Sequence, residues 1–356
     1  MKKVTTLALV NSSFQLICAI EFLLKNNTLN SAVFVSEIPI DSAAYKQMKN
    51  LLDDFNLKGI LTVPICYSGT LEERIGSYGQ FFKENLARKK FDTVLFGDIR
   101  KQWMQDFVCS LDSNQTIMID DGGAVLPVIN FMLEPAKGYL PIALQNGGTE
   151  ERKKLATKIK SNFGLDIQRK KVFLFSVFHK ETYVDCEENN FQYIIKFYNP
   201  ENRFIKTNEV HFIGAPFLEY KLLDLSEYMQ SIERFDAMVE DKLKRVYYKH
   251  RYETNEQKLF EIEKLGYEIR TSEINYEQHL IQSGSLPTKV ASILSTSLFN
   301  IKSIFPERVD AYFFPLNENI IRRHASTQWM VEYYNLAQHW QQIFARLPAY
   351  GVSEVI

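Results

Sequence analysis

The amino-acid sequence predicts an α/β protein of two doubly wound domains, and three observations carry that prediction. Short apolar runs alternate with longer amphipathic stretches through the first third of the chain, and the alternation restarts near its middle. A polar stretch without periodicity, "NPENRFIKTN" at 199–208, parts the two series and reads as a linker. A length of 356 residues is more than one ordinary domain needs and suits two. Strand and helix in strict turn call for parallel strands covered on both faces. The expected organisation is one domain over 1–200, a second over 201–320 and a closing helix within 321–356.

Taken in order, "KKVTTLALV" reads as strand and "SFQLICAIEFLLKN" as helix, its apolar residues at helical spacing. "SAVFVSE" and "KGILTVPI" read as strands around the helical "DSAAYKQMKNLLDDF". "LEERIGSYGQFFKENLARKK" is helix, "FDTVLFGD" strand, "QWMQDFVCSLD" helix and "QTIMIDD" strand. The middle carries a helix in "NGGTEERKKLATKIKSNFG" and strands in "KKVFLFSVF" and "NNFQYIIKFYN". After the linker come "EVHFIGAP" (strand), "LSEYMQSIERFDAMVED" (helix), "KRVYYKHR" (strand) and "NEQKLFEIEKLG" (helix). "YEIR" (strand), "YEQHLIQSG" (helix), "KVASILSTS" and "VDAYFFPLN" (strands) follow, and the aromatic "STQWMVEYYNLAQHWQQIFARL" closes the chain as a helix across both domains. Ligands of such sheets bind beyond the carboxyl ends of the strands, so two domains imply a cleft lined by strand ends.

Composition narrows the function. With 46% hydrophobic and 24% charged residues the chain is a soluble globular protein with a large core. Its 42 Lys and Arg against 43 Asp and Glu make no overall field for nucleic acid, so no nucleic-acid partner is expected. Cys18, Cys66, Cys109 and Cys186 lie far apart without C-x-x-C or Cys/His ligand spacing, which points to a reducing compartment and away from zinc. The apolar run near the amino terminus is broken at Asn11, Ser12 and Ser13, too short for a signal peptide. No window reaches the roughly 18 apolar residues of a membrane span. A cytoplasmic protein is expected, with peripheral contact at a membrane surface left open. The basic clusters at 152–154 and 169–171 read as solvated faces. Neither G-x-G-x-x-G nor G-x-x-x-x-G-K-[ST] occurs, which disfavours dinucleotide and P-loop chemistry.

Three constellations end strands. In "TIMIDDGGAVLP", Asp120 and Asp121 follow an apolar run, and Gly122 and Gly123 allow a sharp turn and close approach of a ligand. A solvated turn explains such a sequence equally well. The functional reading is a general base whose proton affinity is raised by the adjacent carboxylate. His250, in "YYKHRYE", closes a strand of the second series between Lys249 and Arg251, with Glu253 close by. The two cations would resist its protonation unless a phosphate ester or Glu253 offsets them, so an acid and a phosphate contact are both open to it. Ser295, Thr296 and Ser297 sit behind "ASIL", where hydroxyls and backbone amides can cradle a phosphate without a metal; a helix cap is the commoner meaning. His179, His211, His279, His324 and His339 show no metal-ligand spacing and read as core or surface residues.

In this order the motifs resemble those of the bacterial sialyltransferases of the lipooligosaccharide and polysialic-acid type. The acidic D/E-D-G matches Asp120, Asp121 and Gly122; "IGAP" at 213–216 follows the linker; the histidine motif matches His250; and the serine/threonine motif matches 295–297. "NSSFQLICAIEFL" is similar to the first strand-to-helix loop of these enzymes, and the resemblance spans 3–316. The family's proline after the histidine is replaced here by Arg251, which leaves the subfamily and the sugar open.

The resemblance implies a GT-B-like fold, two Rossmann-like domains facing a central cleft. It implies an inverting transfer of sialic acid, or a related nonulosonic acid, from a CMP-activated donor to a hydroxyl of a cell-surface glycan. Asp120 would be the base with Asp121 as fallback, and His250 would stabilise the departing CMP phosphate. Ser295, Thr296 and Ser297 would hold that phosphate. Gly214, Lys249, Arg251 and Glu277 would complete the donor side; Ser12, Ser13, Gln15, Gly122 and Gly123 the acceptor side. No metal and no cofactor are implied, the CMP-sugar being a co-substrate. Transfer of another CMP-linked acid sugar (pseudaminic, legionaminic or Kdo-type) and a non-catalytic role in capsule assembly are the alternatives. The acceptor, the linkage and the oligomeric state are not legible.

Overall fold

The computed structural model describes residues 6–123, 125–140, 148–179, 182, 184–293, 295–316 and 344–355. The chain divides into two units: Met1–Asp121 with Val128–Asn189, and Gly122–Pro127 with Asn190–Ile356. The division falls between Asn189 and Asn190, and the acidic motif straddles the earlier one, Asp121 counting with the first unit and Gly122 with the second.

The first unit runs β1 (Thr6–Leu9), α1 (Ser13–Lys25), β2 (Ala32–Ser36), α2 (Ala43–Asp54), β3 (Leu61–Thr62), α3 (Leu71–Asn85), β4 (Lys90–Phe96), α4 (Gln102–Ser110) and β5 (Asp112–Ile119). A short α5 (Val125–Val128), whose first three residues count with the second unit, continues into a π-helical turn, Ile129–Leu133; α6 (Glu150–Ser161), β6 (Phe173–Ser176) and β7 (Cys186–Glu188) follow. The sheet is parallel throughout, in the order β3-β2-β1-β4-β5-β6-β7. β1 is buried on both faces, as its unbroken apolar sequence requires, and registers Thr6 with Ala32 on one side and Thr93 on the other. α3 begins where Thr70 and Glu73 satisfy each other's backbone amides, a reciprocal cap.

The second unit runs α7 (Gln192–Tyr198), β8 (Ile205–Lys206), β9 (Glu209–Ile213), α8 (Leu225–Asp236), β10 (Lys244–Tyr248), α9 (Glu256–Lys264) and β11 (Glu268–Arg270). It continues with α10 (Tyr276–Ser283), β12 (Ser285–Leu286), β13 (Lys289–Ser292), α11 (Ser297–Ile304), β14 (Asp310–Phe313) and β15 (Val352–Glu354). Its main sheet, again parallel, has the order β11-β10-β9-β13-β14-β15, and β8 pairs with β12 apart from it. Phe212 anchors the core, stacked on Tyr247 at 5.9 Å and on Phe314 at 6.1 Å. In both units successive strands step one way and then return past the first, so the order reverses between β1 and β4 and between β9 and β13. These switch points are where parallel sheets open a crevice for ligands. Both units are Rossmann-like, and the fold class is α/β with two parallel sheets.

Several elements depart from the sequence expectation. "NNFQYIIKFYN" forms helix α7, not a strand: Phe191 and Ile194 are buried while Tyr193 and Phe197 face outward, a helical spacing that aromatic and β-branched composition disguised. Only Leu61 and Thr62 of "KGILTVPI" pair as a strand. Part of the linker is structured, because Asn199 caps Arg203 in both directions and Ile205 enters the small sheet. Most of the expected terminal helix, with His324 and His339, lies outside the described residues. Its described end, 344–346, is helical and runs into a 3-10 turn at Leu347–Tyr350, beyond which β15 is an edge strand registered on β14.

Beneath the first unit's helices lies an ion pair with almost no solvent contact: Lys160 Nζ meets Asp106 Oδ1 at 2.9 Å. Asp106 also accepts hydrogen bonds from Tyr78 and Gln102. Removing one partner leaves a buried charge uncompensated. Lys160→Met is expected to destabilise the protein by about 3–5 kcal/mol, and Lys160→Met/Asp106→Asn to recover much of that loss, read from denaturant midpoints.

Candidate functional site

At the first switch point the chain leaves β1 through Asn11. Ser12 caps α1 by accepting the Gln15 amide, and Ser13 is buried with its hydroxyl donating to Gln47. Gln15 is the side chain that crosses the crevice. Its Oε1 accepts from the Asn11 amide at 2.6 Å and its Nε2 donates to Asp121 Oδ1 at 2.6 Å. It reaches Asp121 over Gly97, where a Cβ would collide with the glutamine side chain.

The two adjacent acids part company. Asp120 has no solvent exposure, and its carboxylate accepts from the Ser176 hydroxyl, the Val177 amide (2.9 Å) and Asn189 Nδ2 (3.3 Å). Burial pushes its carboxyl up to about 6, against those hydrogen bonds. Asp121 keeps 19% of its side chain exposed and is held by Gln15 and by Arg100 Nη2. Burial, then the charge of Asp98, push it up to about 7, with Arg100 and Gln15 opposing. Asp120 is sealed off with its oxygens engaged, whereas part of the Asp121 carboxylate stays exposed.

Arg100, absent from the sequence reading, also lines a cavity of ≈ 450 Å³ at these strand ends, together with Arg74, Lys101, Arg152, Tyr67 and Trp103. Glu37 is the one acid in its wall among the described residues, held by Lys101 at 2.7 Å and by Trp103 Nε1 at 2.8 Å. Tyr78 and Gln102 reach the same cavity from the Asp106–Lys160 pair. An excess of cations beside aromatic faces suits an acidic, polyhydroxylated ligand. The cluster at 152–154 is thus divided: Arg152 turns to this cavity, while Lys153 bonds Glu150. In the other cluster, Arg169 lies over the Tyr139 ring and Lys171 pairs with Asp185.

At the second switch point Gly214 follows β9, and a Cβ there would strike the Glu253 carboxylate and the Tyr247 hydroxyl. His250 lies beyond β10. Its backbone amide donates to Glu253 Oε2, and its Nδ1 accepts from the Tyr252 amide at 3.2 Å. A ring whose Nδ1 accepts carries its proton on Nε2. Burial, then the charges of Arg251 and Lys258, lower the imidazole to about 4, so it is neutral at ordinary pH. Glu253 therefore holds the main chain of His250 and does not offset its ring. Lys249 donates its amide to Arg270 O in the sheet, and the Arg251 guanidinium lies 5.0 Å from the centre of the Tyr252 ring.

Ser295, Thr296 and Ser297 lead into α11 and are each partly exposed. The Ser295 hydroxyl accepts the Ser297 amide at 3.2 Å, whereas Thr296, at the cap position, makes no side-chain capping bond. Thr296 Oγ1 instead lies against Gly122, whose φ of +61° and lack of a Cβ allow that approach. The Gly122 and Gly123 carbonyls accept the first amides of α5. Glu277, buried, accepts from Asn300 Nδ2 at 2.7 Å and so joins α10 to α11.

The described histidines keep the plain reading. His211 is buried between Glu209 and Tyr276, His279 pairs with Tyr248, and His179 stands 3.9 Å from Glu188. Among the described residues no group of three or more His, Cys, Asp or Glu converges as a metal site, and no helix is long and apolar enough to cross a membrane. Asn189 was missed because nothing local marks it, and for Gly97 and Arg100 the "FGDIR" strand end was the local signal passed over.

Residues 135–310, just under half of the chain, match the family model described as alpha-2,8-polysialyltransferase (POLYST). No curated protein matches. Among solved structures, the GT-B domain of a sialyltransferase from Photobacterium damselae is similar at 11% identity and a TM-score of 0.46, over 98% of this chain and 99% of that one. A putative UDP-N-acetylglucosamine 2-epimerase from Listeria monocytogenes is similar at 10% identity and 0.47, over 98% and 89%. An E. coli heptosyltransferase with ADP stands at 9% identity and 0.41, over 98% and 99%.

The Gln15–Asp121 contact depends on the missing side chain at position 97. Gly97→Ala is expected to cost about 1–3 kcal/mol by overpacking, read from chemical denaturation. By displacing Gln15 it also moves the Asp121 carboxyl titration upward, read by carbon-13 NMR.

Proposed function

We propose that the chain is a glycosyltransferase of sialyltransferase type, carrying out an inverting transfer of a nonulosonic acid from a CMP-activated donor to a glycan hydroxyl. The observation that carries this reading is Asp121: a partly exposed carboxylate beyond β5, its proton affinity raised to about 7, on the guanidinium of a cationic and aromatic cavity. A base near neutrality is what an acceptor hydroxyl requires.

In the proposed reaction the acceptor oxygen attacks the anomeric carbon as the bond to the CMP phosphate oxygen breaks. The acceptor proton passes to Asp121, and CMP leaves with the bonding electron pair. A tertiary anomeric carbon bearing a carboxylate loses its leaving group early, through an oxocarbenium-like transition state. Charge therefore gathers on the phosphate, where the His250 Nε2–H donates a hydrogen bond and Ser295, Thr296 and Ser297 offer hydroxyls and the amides of a helix start. A neutral imidazole is suited to this role: it donates in the ground state and gains proton affinity as phosphate charge develops. Gly214 and its loop, Lys249, Arg251 and Glu277 take the nucleotide in this scheme. Ser12, Gln15 and the cavity behind Arg100 take the acceptor, with Ser13, Gly122 and Gly123 shaping its surroundings. Phosphate stabilisation by hydroxyls and imidazole calls for no metal, and transfer that survives chelation is the expected result.

The cationic cavity favours an acidic acceptor, in keeping with the matched family's description as a polysialyltransferase. Glycan acceptors of this kind lie at a bacterial membrane, and peripheral contact with its inner face belongs to the proposal.

Asp121→Asn is expected to cut turnover by ~10²–10⁴-fold, the scale of acid–base assistance, with CMP affinity retained by calorimetry. Asp120→Asn should lower stability by about 1–3 kcal/mol and leave turnover per folded molecule nearly intact. The reverse pattern would return the base to Asp120. Because a base works deprotonated, kcat/KM should rise with pH through about 7 and level above it. His250, lowered to about 4, adds no second limb near its ordinary value. A screen of CMP-linked acid sugars, read by CMP release, identifies the donor; no release from any of them would overturn the reading.

A further inference from the structure

Under the second switch point lies a polar network with essentially no solvent contact. Lys258 is 0% and Glu253 1% exposed, and their ammonium and carboxylate are in direct contact. Glu253 Oε1 also accepts from the Tyr247 hydroxyl at 2.6 Å, while its Oε2 takes the His250 backbone amide. Tyr247 and Tyr228 share a hydrogen bond of 2.7 Å, and the Tyr228 hydroxyl accepts the Ala215 amide at 3.1 Å. Lys258 lies 4.9 Å from the centre of the Tyr228 ring and 3.3 Å from Glu219 Oε2. Glu219 in turn accepts the amides of Thr254 and Asn255, which close the loop after His250. One buried cation thus joins the turn beyond β9 to the turn beyond β10.

We propose that Lys258 and Glu253 are positioning residues that set the His250 loop and the Gly214–Ala215 turn in register with each other before any ligand arrives. The inference rests on the reading of His250 and Gly214 as the nucleotide side. Neither Lys258 nor Glu253 touches the substrate in this scheme; they act through the two turns. A buried pair of this kind is a poor source of stability, since apolar replacements of both partners often serve as well. What such a pair supplies is geometry. Each Glu253 oxygen serves a different turn, and only a carboxylate offers two acceptors there. A glutamine has one carbonyl oxygen, so one of the two turns must lose its partner.

The test compares Glu253→Gln, Glu253→Gln/Lys258→Met and His250→Asn. The double variant removes the unpaired buried charge and remains informative if the single variant fails to fold. The expected result is a double variant with a Tm near that of the unaltered protein but turnover down by about 10²-fold, the scale of a small misplacement of reacting groups. Nitrogen-15 NMR of His250 should show loss of the single Nε2–H form, and CMP affinity should fall with it. A folded double variant that keeps the His250 signals, the CMP affinity and the turnover overturns the proposal. Should the unaltered protein bind no CMP, or His250→Asn transfer normally, the functional reading falls instead. The histidine signals then still decide whether Glu253 and Lys258 position that loop.

Discussion

One buried carboxylate organises the first unit. Asp120 gathers the Ser176 hydroxyl, the Val177 amide and the Asn189 side chain, binding the end of β5 to the end of β6 and to the segment after β7. Along an extended chain neighbouring side chains face opposite sides, so an inward Asp120 turns Asp121 toward Gln15 and Arg100. The pair looked redundant as a sequence. In the fold one acid holds the sheet and the other turns to Gln15 and Arg100.

The two units share a construction. Each has a parallel sheet whose strand order reverses once, and in each a lysine is buried against an acid: Lys160 with Asp106, and Lys258 with Glu253. In the first unit the pair fixes Tyr78 and Gln102 in the wall of the cationic cavity. In the second it fixes the backbone of His250. Low-dielectric networks whose members are mutually bonded resist rearrangement, and this places side chains more precisely than loops alone can.

Burial also sets the electrostatics of both surfaces. It drives Asp121 toward its protonated form and His250 toward its neutral form, in each case against or beside fixed charges. A carboxyl near 7 and an imidazole near 4 are both disposed to respond to the charge of a ligand. The guanidinium of Arg100 keeps Asp121 from rising further, while the charge of Asp98 opposes it. The protein thus holds a carboxylate that still binds protons near neutrality and an imidazole without charge.

Much of this was legible from residue order. Apolar runs alternating with amphipathic stretches specified two parallel sheets, and the acidic pair, His250 and the hydroxyl triplet all fall beyond strand ends because turn chemistry and periodicity are local properties. The same local signals misread α7, whose aromatic and branched residues favour strand until Phe191 and Ile194 are seen to share a buried side. The separate surroundings of the two acids, the reach of Gln15 across 106 positions to Asp121, the cavity behind Arg100 and the bond from Glu253 to a backbone amide were decided only in three dimensions. They depend on which distant groups come to lie side by side, and no local pattern in the chain records that.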